Sequence, residues 1–135
     1  SFFYRTMTVY LRDAQTVVSL LGNDVVASNG NGSAINLQNG TQRFEGDCTV
    51  TLDTEAGGSG IVYTIKLTEC DTSGGTYTDV TGGAFTATTA NTASTQVLFL
   101  NASELKQYIK VNKVVAGGTG AGAVSVTALF SNKYG

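Results

Sequence analysis

The sequence predicts an all-β protein, an antiparallel two-sheet β-sandwich with an N-terminal arm or edge strand. Three observations carry that expectation. Of 135 residues, 20 are Thr and 14 are Val, β-branched types that are stiff at χ1 and suit a pleated surface better than a helix. From residue 42 onward, short alternating runs are separated by Gly, Asn and Ser clusters, the pattern of sandwiches and barrels. Charged residues make up 13%, about half the usual share, so much of the surface is neutral.

The elements follow in order. Residues 1–29 read as an arm or extended segment and residues 30–135 as the sandwich domain. Phe2, Phe3, Tyr4, Met7, Val9, Tyr10 and Leu11 make the opening too apolar for a solvated tail. A terminus of this kind is ordered only when something ties it down. It either packs as an edge strand on its own sandwich or docks on another subunit; for docking, the candidate interface residues are Phe2, Phe3, Tyr4, Arg5, Tyr10 and Arg12. Thr16 to Leu21 fits a strand or a short helix, and periodicity does not decide between them. Gly22 to Gly32 is a turn-rich connector, and Ser33 to Leu37 offers a short strand.

Arg43 to Asp53 is expected as a strand with Phe44, Cys48, Val50 and Leu52 inward. Glycines make Glu55 to Gly60 a turn. Ile61 to Glu69 is the cleanest strand, with Ile61, Tyr63, Ile65 and Leu67 on one face and Val62, Thr64, Lys66 and Thr68 on the other, one buried and one wet. Asp71 to Gly75 turns the chain into a strand at Thr76–Val80, and a second short strand, Ala84 to Thr88, is anchored by Phe85. Thr95 to Asn101 is apolar on both faces, Val97 and Phe99 against Leu98 and Leu100, which predicts cover on both sides. Ser103 to Lys106 is a corner. Gln107 to Val115 and Ala123 to Phe130 are strands joined by the Gly-rich loop 117–122. No Pro occurs, so sheet edges must be blunted otherwise, and closure against another subunit is one way.

Several functions are excluded or made remote. Without His, no Ser-His-Asp or Cys-His nucleophile and no His-ligated metal is available. A net charge of −2 with eight scattered basic residues gives no footprint for nucleic acid. No run approaches the ~18 apolar residues of a membrane span. The opening lacks a basic segment leading into an apolar one; removal of an initiator Met before Ser1 is the simpler expectation than a cleaved leader. Paired carboxylates are the remaining catalytic option, with Asp47, Asp53, Glu55, Glu69, Asp71 and Asp79 as candidates. Most sit at turns, where Asp caps its own backbone, and short loops leave little material for a walled cleft. Asp71–Gly75 lacks the spaced ligands of a calcium loop, and no helix follows Gly118 and Gly120 to make a dinucleotide loop. No enzyme, cofactor or metal is expected.

Cys48, Cys70 and Tyr108 are expected to be structural. Two cysteines allow one disulfide at most, and two buried thiols are the expectation. Tyr108, at a strand entrance, suits a tyrosine corner in which the hydroxyl returns to upstream backbone.

Ile61-Val62-Tyr63-Thr64-Ile65-Lys66-Leu67-Thr68-Glu69-Cys70-Asp71, followed by Tyr77-Thr78-Asp79-Val80-Thr81-Gly82, resembles a strand-turn-strand pattern of small head decoration, or cement, proteins of tailed bacteriophages. Leu105-Lys106-Gln107-Tyr108-Ile109-Lys110-Val111 is similar to a later segment of theirs, and Gly30–Leu37 and Phe44-Glu45-Gly46 are also similar. The resemblance covers roughly residues 30–130 and implies a jelly-roll sandwich. It further implies binding to the major capsid protein on the outside of the virion, assembly in the host cytoplasm, and self-association as a homotrimer that stabilises the shell. The alternatives are a secreted or cell-surface sandwich that binds carbohydrate or protein, and a tail-associated phage protein.

Overall fold

A computed structural model describes residues 16–26, 29–56, 60–118 and 122–134. Ten strands follow one another among them: β1 (Thr16–Val26), β2 (Gly30–Asn31), β3 (Ile35–Asn36), β4 (Gln38–Asn39), β5 (Gln42–Thr54), β6 (Val62–Cys70), β7 (Thr78–Ala84), β8 (Ser94–Asn101), β9 (Tyr108–Ala116) and β10 (Gly122–Tyr134). A single 3-10 turn, Ala102–Glu104, lies between β8 and β9; the Asn101 side chain caps it by accepting from the Ser103 N–H at 3.0 Å.

The strands form two antiparallel sheets. The first runs β1-β10-β5, with β8 beside most of β5 and β4 beside its start. The second runs β9-β6-β7, with β2 and β3 as two fragments along the outer edge of β9. The pairing is that of a long hairpin rolled up: β1 with β10, β2 and β3 with β9, β5 with β8, β6 with β7. This is the jelly-roll arrangement of two sheets.

Period-two alternation puts one face of each sheet into a shared core. In the first sheet Val18, Ala128, Val50 and Leu98 lie opposite one another in a row. Val126 and Leu52 continue it on one side; Phe130, Cys48 and Leu100 continue it on the other. Phe44 stacks on Phe130 with ring centroids 4.1 Å apart. The second sheet contributes Tyr63, Ile65, Leu67, Ile109 and Val111 from β6 and β9, with Val80 and Phe85 beside them. The inward faces expected for residues 43–53, 61–69 and 123–130 are therefore the ones observed.

Three expectations change. Thr16–Val26 is a strand paired along its length with β10, so the sandwich includes residues assigned above to the arm, and the strand-or-helix ambiguity resolves to strand. The two strands expected at 76–80 and 84–88 are one edge, broken by a bulge. Five steps from Asp79 to Ala84 stand against two from Lys66 to Thr68. Gly82 takes up the bulge at φ +74°, while Val80 turns into the core. Beyond the bulge the Phe85 and Thr88 N–H groups donate to the carbonyls of Ile65 and Tyr63. Finally, β8 is covered on one face only, as described below.

Gly117 shows how tightly the loops at one end meet. It has φ +78°, and a Cβ there would collide with the carbonyl oxygen of Gly60. Gly60 donates its N–H to Asn91 Oδ1 at 2.9 Å. Gly40 also has positive φ but faces open space, so it isolates the backbone cost of adding a side chain. Gly40→Ala is expected to lower unfolding free energy by about 1–2 kcal/mol. Gly117→Ala should lower it by distinctly more, read as urea midpoints at unchanged m-value. Equal losses would mean that the Gly60 contact carries no energy.

Candidate functional site

The outward face of the first sheet is the surface that the core does not explain. In a strand the residues between inward positions point out, and the register lines them up across four strands. One row reads Val17, Leu129, Thr49, Phe99; the next reads Ser19, Thr127, Thr51, Val97. Phe99 is 81% exposed, Val17 68% and Val97 45%. Where β8 flanks β5, over residues 47–54, the outward charges are Asp47 and Asp53, both acidic; Arg43 and Glu45 lie further along β5, beyond the end of β8. The second sheet is built differently. Its outward face carries Lys66 and Lys110, with Lys66 Nζ 2.8 Å from Asp79 and Lys110 over the Tyr77 ring at 4.3 Å. A uniformly wet exterior would leave no Phe standing in solvent, and contiguous exposed apolar surface marks contact.

At the β8 edge the two sheets are joined by a side chain. Gln96 donates from Nε2 to the Thr86 carbonyl at 2.8 Å and accepts at Oε1 from the Thr86 N–H at 2.9 Å. Its amide thus takes the place of a strand neighbour and blunts an edge that has no Pro to protect it. Beside this clip lies a cleft of about 610 Å³, lined by Asp47, Glu69, Val80, Phe99, Asn101 and Glu104, among others. Glu69 sits in line with Tyr63, Ile65 and Leu67 at the open end of the sandwich, and its Oε1 accepts from the Lys106 N–H at 2.9 Å. The guanidinium of Arg43 is bound to the Leu105 carbonyl. Phe99 belongs to both features, ending the apolar row and rimming the acidic cleft.

Of the carboxylates considered for chemistry, Asp47 and Glu69 meet in this cleft, joined by Glu104, which sequence reasoning did not single out. Asp53 accepts from Thr95 Oγ1 at 2.8 Å and Asp79 pairs with Lys66. Asp71 is exposed in the β6–β7 turn, and the Glu55 backbone N–H donates to the Ala123 carbonyl. Among the described residues no group of three or more Cys, Asp or Glu could hold a metal ion, and no helix is long and apolar enough to cross a membrane.

The candidate interface residues Phe2, Phe3, Tyr4, Arg5, Tyr10 and Arg12 lie outside the described residues. Cys48 and Cys70 are buried free thiols on different sheets. Burial among Phe130 and Leu100 raises the Cys48 pKa from 9.0 to about 11. The Thr72 backbone N–H holds the Cys70 thiol below its ordinary value, with burial opposing. Tyr108 opens β9 opposite Asn36 and Cys70. Across the β6–β7 turn the Tyr77 hydroxyl donates to the Ser73 carbonyl at 2.8 Å.

No family model and no curated protein matches the chain by sequence. Solved structures do match by fold. The SPBc2 prophage-derived protein YomS is similar with a TM-score of 0.52 at 16% identity, over 86% of this chain and 91% of that one. The VP2 protein of the infectious bursal disease virus subviral particle is similar with a TM-score of 0.53 at 12% identity, over 85% of this chain. The match spans 31% of the VP2 chain. At these identities the likeness is one of fold, and it agrees with the two-sheet sandwich.

Two outcomes are expected. Cys70 should react with a maleimide in the native protein well before Cys48, which should react only on unfolding; equal rates would contradict the difference in environment. Because the Cys48 pKa is raised in the folded state, its contribution is intact below about pH 9 and is lost as pH climbs towards about 11. A Cys48→Ala chain should therefore lose less stability across that window than the unsubstituted chain, measured by urea unfolding at each pH.

Proposed function

We propose that the chain is a non-enzymatic virion structural protein that binds the outside of a phage capsid and stabilises it, acting as an oligomer with the major capsid protein as its partner. The observation that carries the contact-making, oligomeric part of this reading is the exposed row Val17, Leu129, Thr49 and Phe99 on a sheet whose other face packs on the core. A rigid sheet whose two central outward rows are apolar or hydroxyl-bearing and carry no charge suits contact with another protein surface. It does not suit a phosphate backbone, which needs clustered Lys and Arg. The fold likenesses support the viral setting: one neighbour comes from a prophage, and the other forms a subviral particle. The strand-turn-strand resemblance over residues 61–82 supports the narrower assignment to a decoration protein.

Mass spectrometry of density-gradient-purified particles tests the reading by counting copies against the most abundant capsid protein. A ratio near one or a simple fraction is expected, since icosahedral placement imposes one. A few copies per particle would move the protein to the tail. Absence from particles would overturn the reading in favour of a secreted binding module. Deleting residues 1–15 should abolish particle binding while leaving the β-type circular dichroism unchanged; undiminished binding would remove the arm from the mechanism.

A further inference from the structure

We propose that the outer face of the β1-β10-β5-β8 sheet, with the acidic cleft at its β8 edge, is the docking site for residues 1–15 of a second copy of this chain. The inference deepens the oligomer part of the reading above and rests on it only there.

Three observations select this occupant. The first is where the aromatic segment joins the described fold. Thr16 is paired with Phe130, and its neighbour Val17 begins the exposed apolar row. Residues 1–15 therefore reach the fold at the β1 edge of this face, while the cleft lies at the opposite, β8 edge. The second is length. Four strands span three spacings of about 4.8 Å, or about 14 Å, and fifteen residues can extend to about 50 Å. The segment is long enough to leave one sandwich and cross the sheet of another. Between Ser1 and β1 it contains no Gly, Asn or Pro and a single turn-favouring residue, Asp13, so a tight return over its own sheet has little sequence support. The third is chemistry. Phe2, Phe3, Tyr4, Met7, Val9, Tyr10 and Leu11 match the apolar row, and Arg5 and Arg12 outnumber the lone acid Asp13. They would meet the carboxylates at the β8 edge, Asp47 on the sheet with Glu69 and Glu104 in the cleft beyond Phe99, where the Arg43 guanidinium is already held by the Leu105 carbonyl.

An arm on one side and its receptor on the other make a head-to-tail interface, which closes into a ring when the rotation between copies permits. That provides the homotrimer implied by the phage resemblance with a physical route. It also accounts for the exposure of Phe99 and Val97 on a strand whose two faces are both apolar.

The test uses full-length chains in isolation, so its failure would leave the particle-binding experiment untouched. Multi-angle light scattering on the unsubstituted chain should give a closed oligomer. Phe99→Asp alters the receptor face at an exposed position, and Phe2→Ser with Phe3→Ser alters the arm. Each variant should be monomeric, with dissociation constants raised at least about thirtyfold, the loss typical of an aromatic anchor. β-type circular dichroism and a cooperative melt should be retained by each variant and so exclude misfolding, with the midpoint lowered only by the concentration-dependent stabilisation that assembly lends. Mixed one to one, the two variants should form a heterodimer, because the intact arm of one finds the intact face of the other. Arg5→Gln should weaken assembly roughly two- to fivefold, as a rim charge does, with a reduced dependence on salt. A monomeric unsubstituted chain, an oligomer indifferent to Phe99→Asp, or a mixture that stays monomeric would each overturn the proposal. The first of these would place the arm on its own sheet or on the capsid.

Discussion

The burial of one apolar layer between two sheets is the interaction on which the rest of this protein depends. Four strands supply most of it: β5 and β10 from one sheet, β6 and β9 from the other, each burying every second residue. These four are central in their sheets, and the flanking strands hold their places by pairing with them. Fixing the inward positions of β5 fixes what β8 presents, because the register sets Val50 against Leu98 and therefore Thr49 against Phe99. A one-residue slip would turn every side chain over. The outward apolar row is thus a geometric consequence of how the core is packed.

The two exteriors diverge for a chemical reason. Lysines on the second sheet find partners in Asp79 and in the face of Tyr77, and they keep that surface hydrated. The first sheet replaces charge with Thr, whose methyl and hydroxyl groups can meet either water or a protein surface. Such a surface is tolerable in solution and costs little to dehydrate, since a neutral hydroxyl loses far less on burial than a charge. A protein whose role is contact gains from that intermediate character.

Much of the fold was legible in the residues themselves. The alternation in Ile61–Glu69 and Ala123–Phe130 placed the correct side chains inward, and the turn at Asp71–Gly75 was written in its glycines. Where prediction failed, the missing information was tertiary. Nothing local to Thr16–Leu21 announces that β10 waits to pair with it. The bulge between Asp79 and Ala84 depends on the register of β6, so its two halves read as separate strands. Leu98 and Phe99 are equally apolar in the sequence, and only the pairing with β5 shows that one faces the core and the other faces out. Glu104 escaped notice because the cleft joins residues from five different parts of the chain, which no spacing rule connects.

The rolled-up hairpin has a consequence for how the protein must come into being. Its first described strand is paired to its last, and β5 has β10 as its inner neighbour. Until β10 arrives, the strongest stretch of apolar strand in the first sheet has an open hydrogen-bonding edge, and the core lacks Val124, Val126, Ala128 and Phe130. Folding dominated by such distant partners is slow, and exposed edges in the interval invite pairing with the wrong chain. The Gly-rich loop between β9 and β10, pinned at Gly117 against Gly60, brings the final strand round to close that gap. The speed of this last closure, more than the stability of the finished sandwich, would then govern how much chain survives crowded synthesis to become native protein.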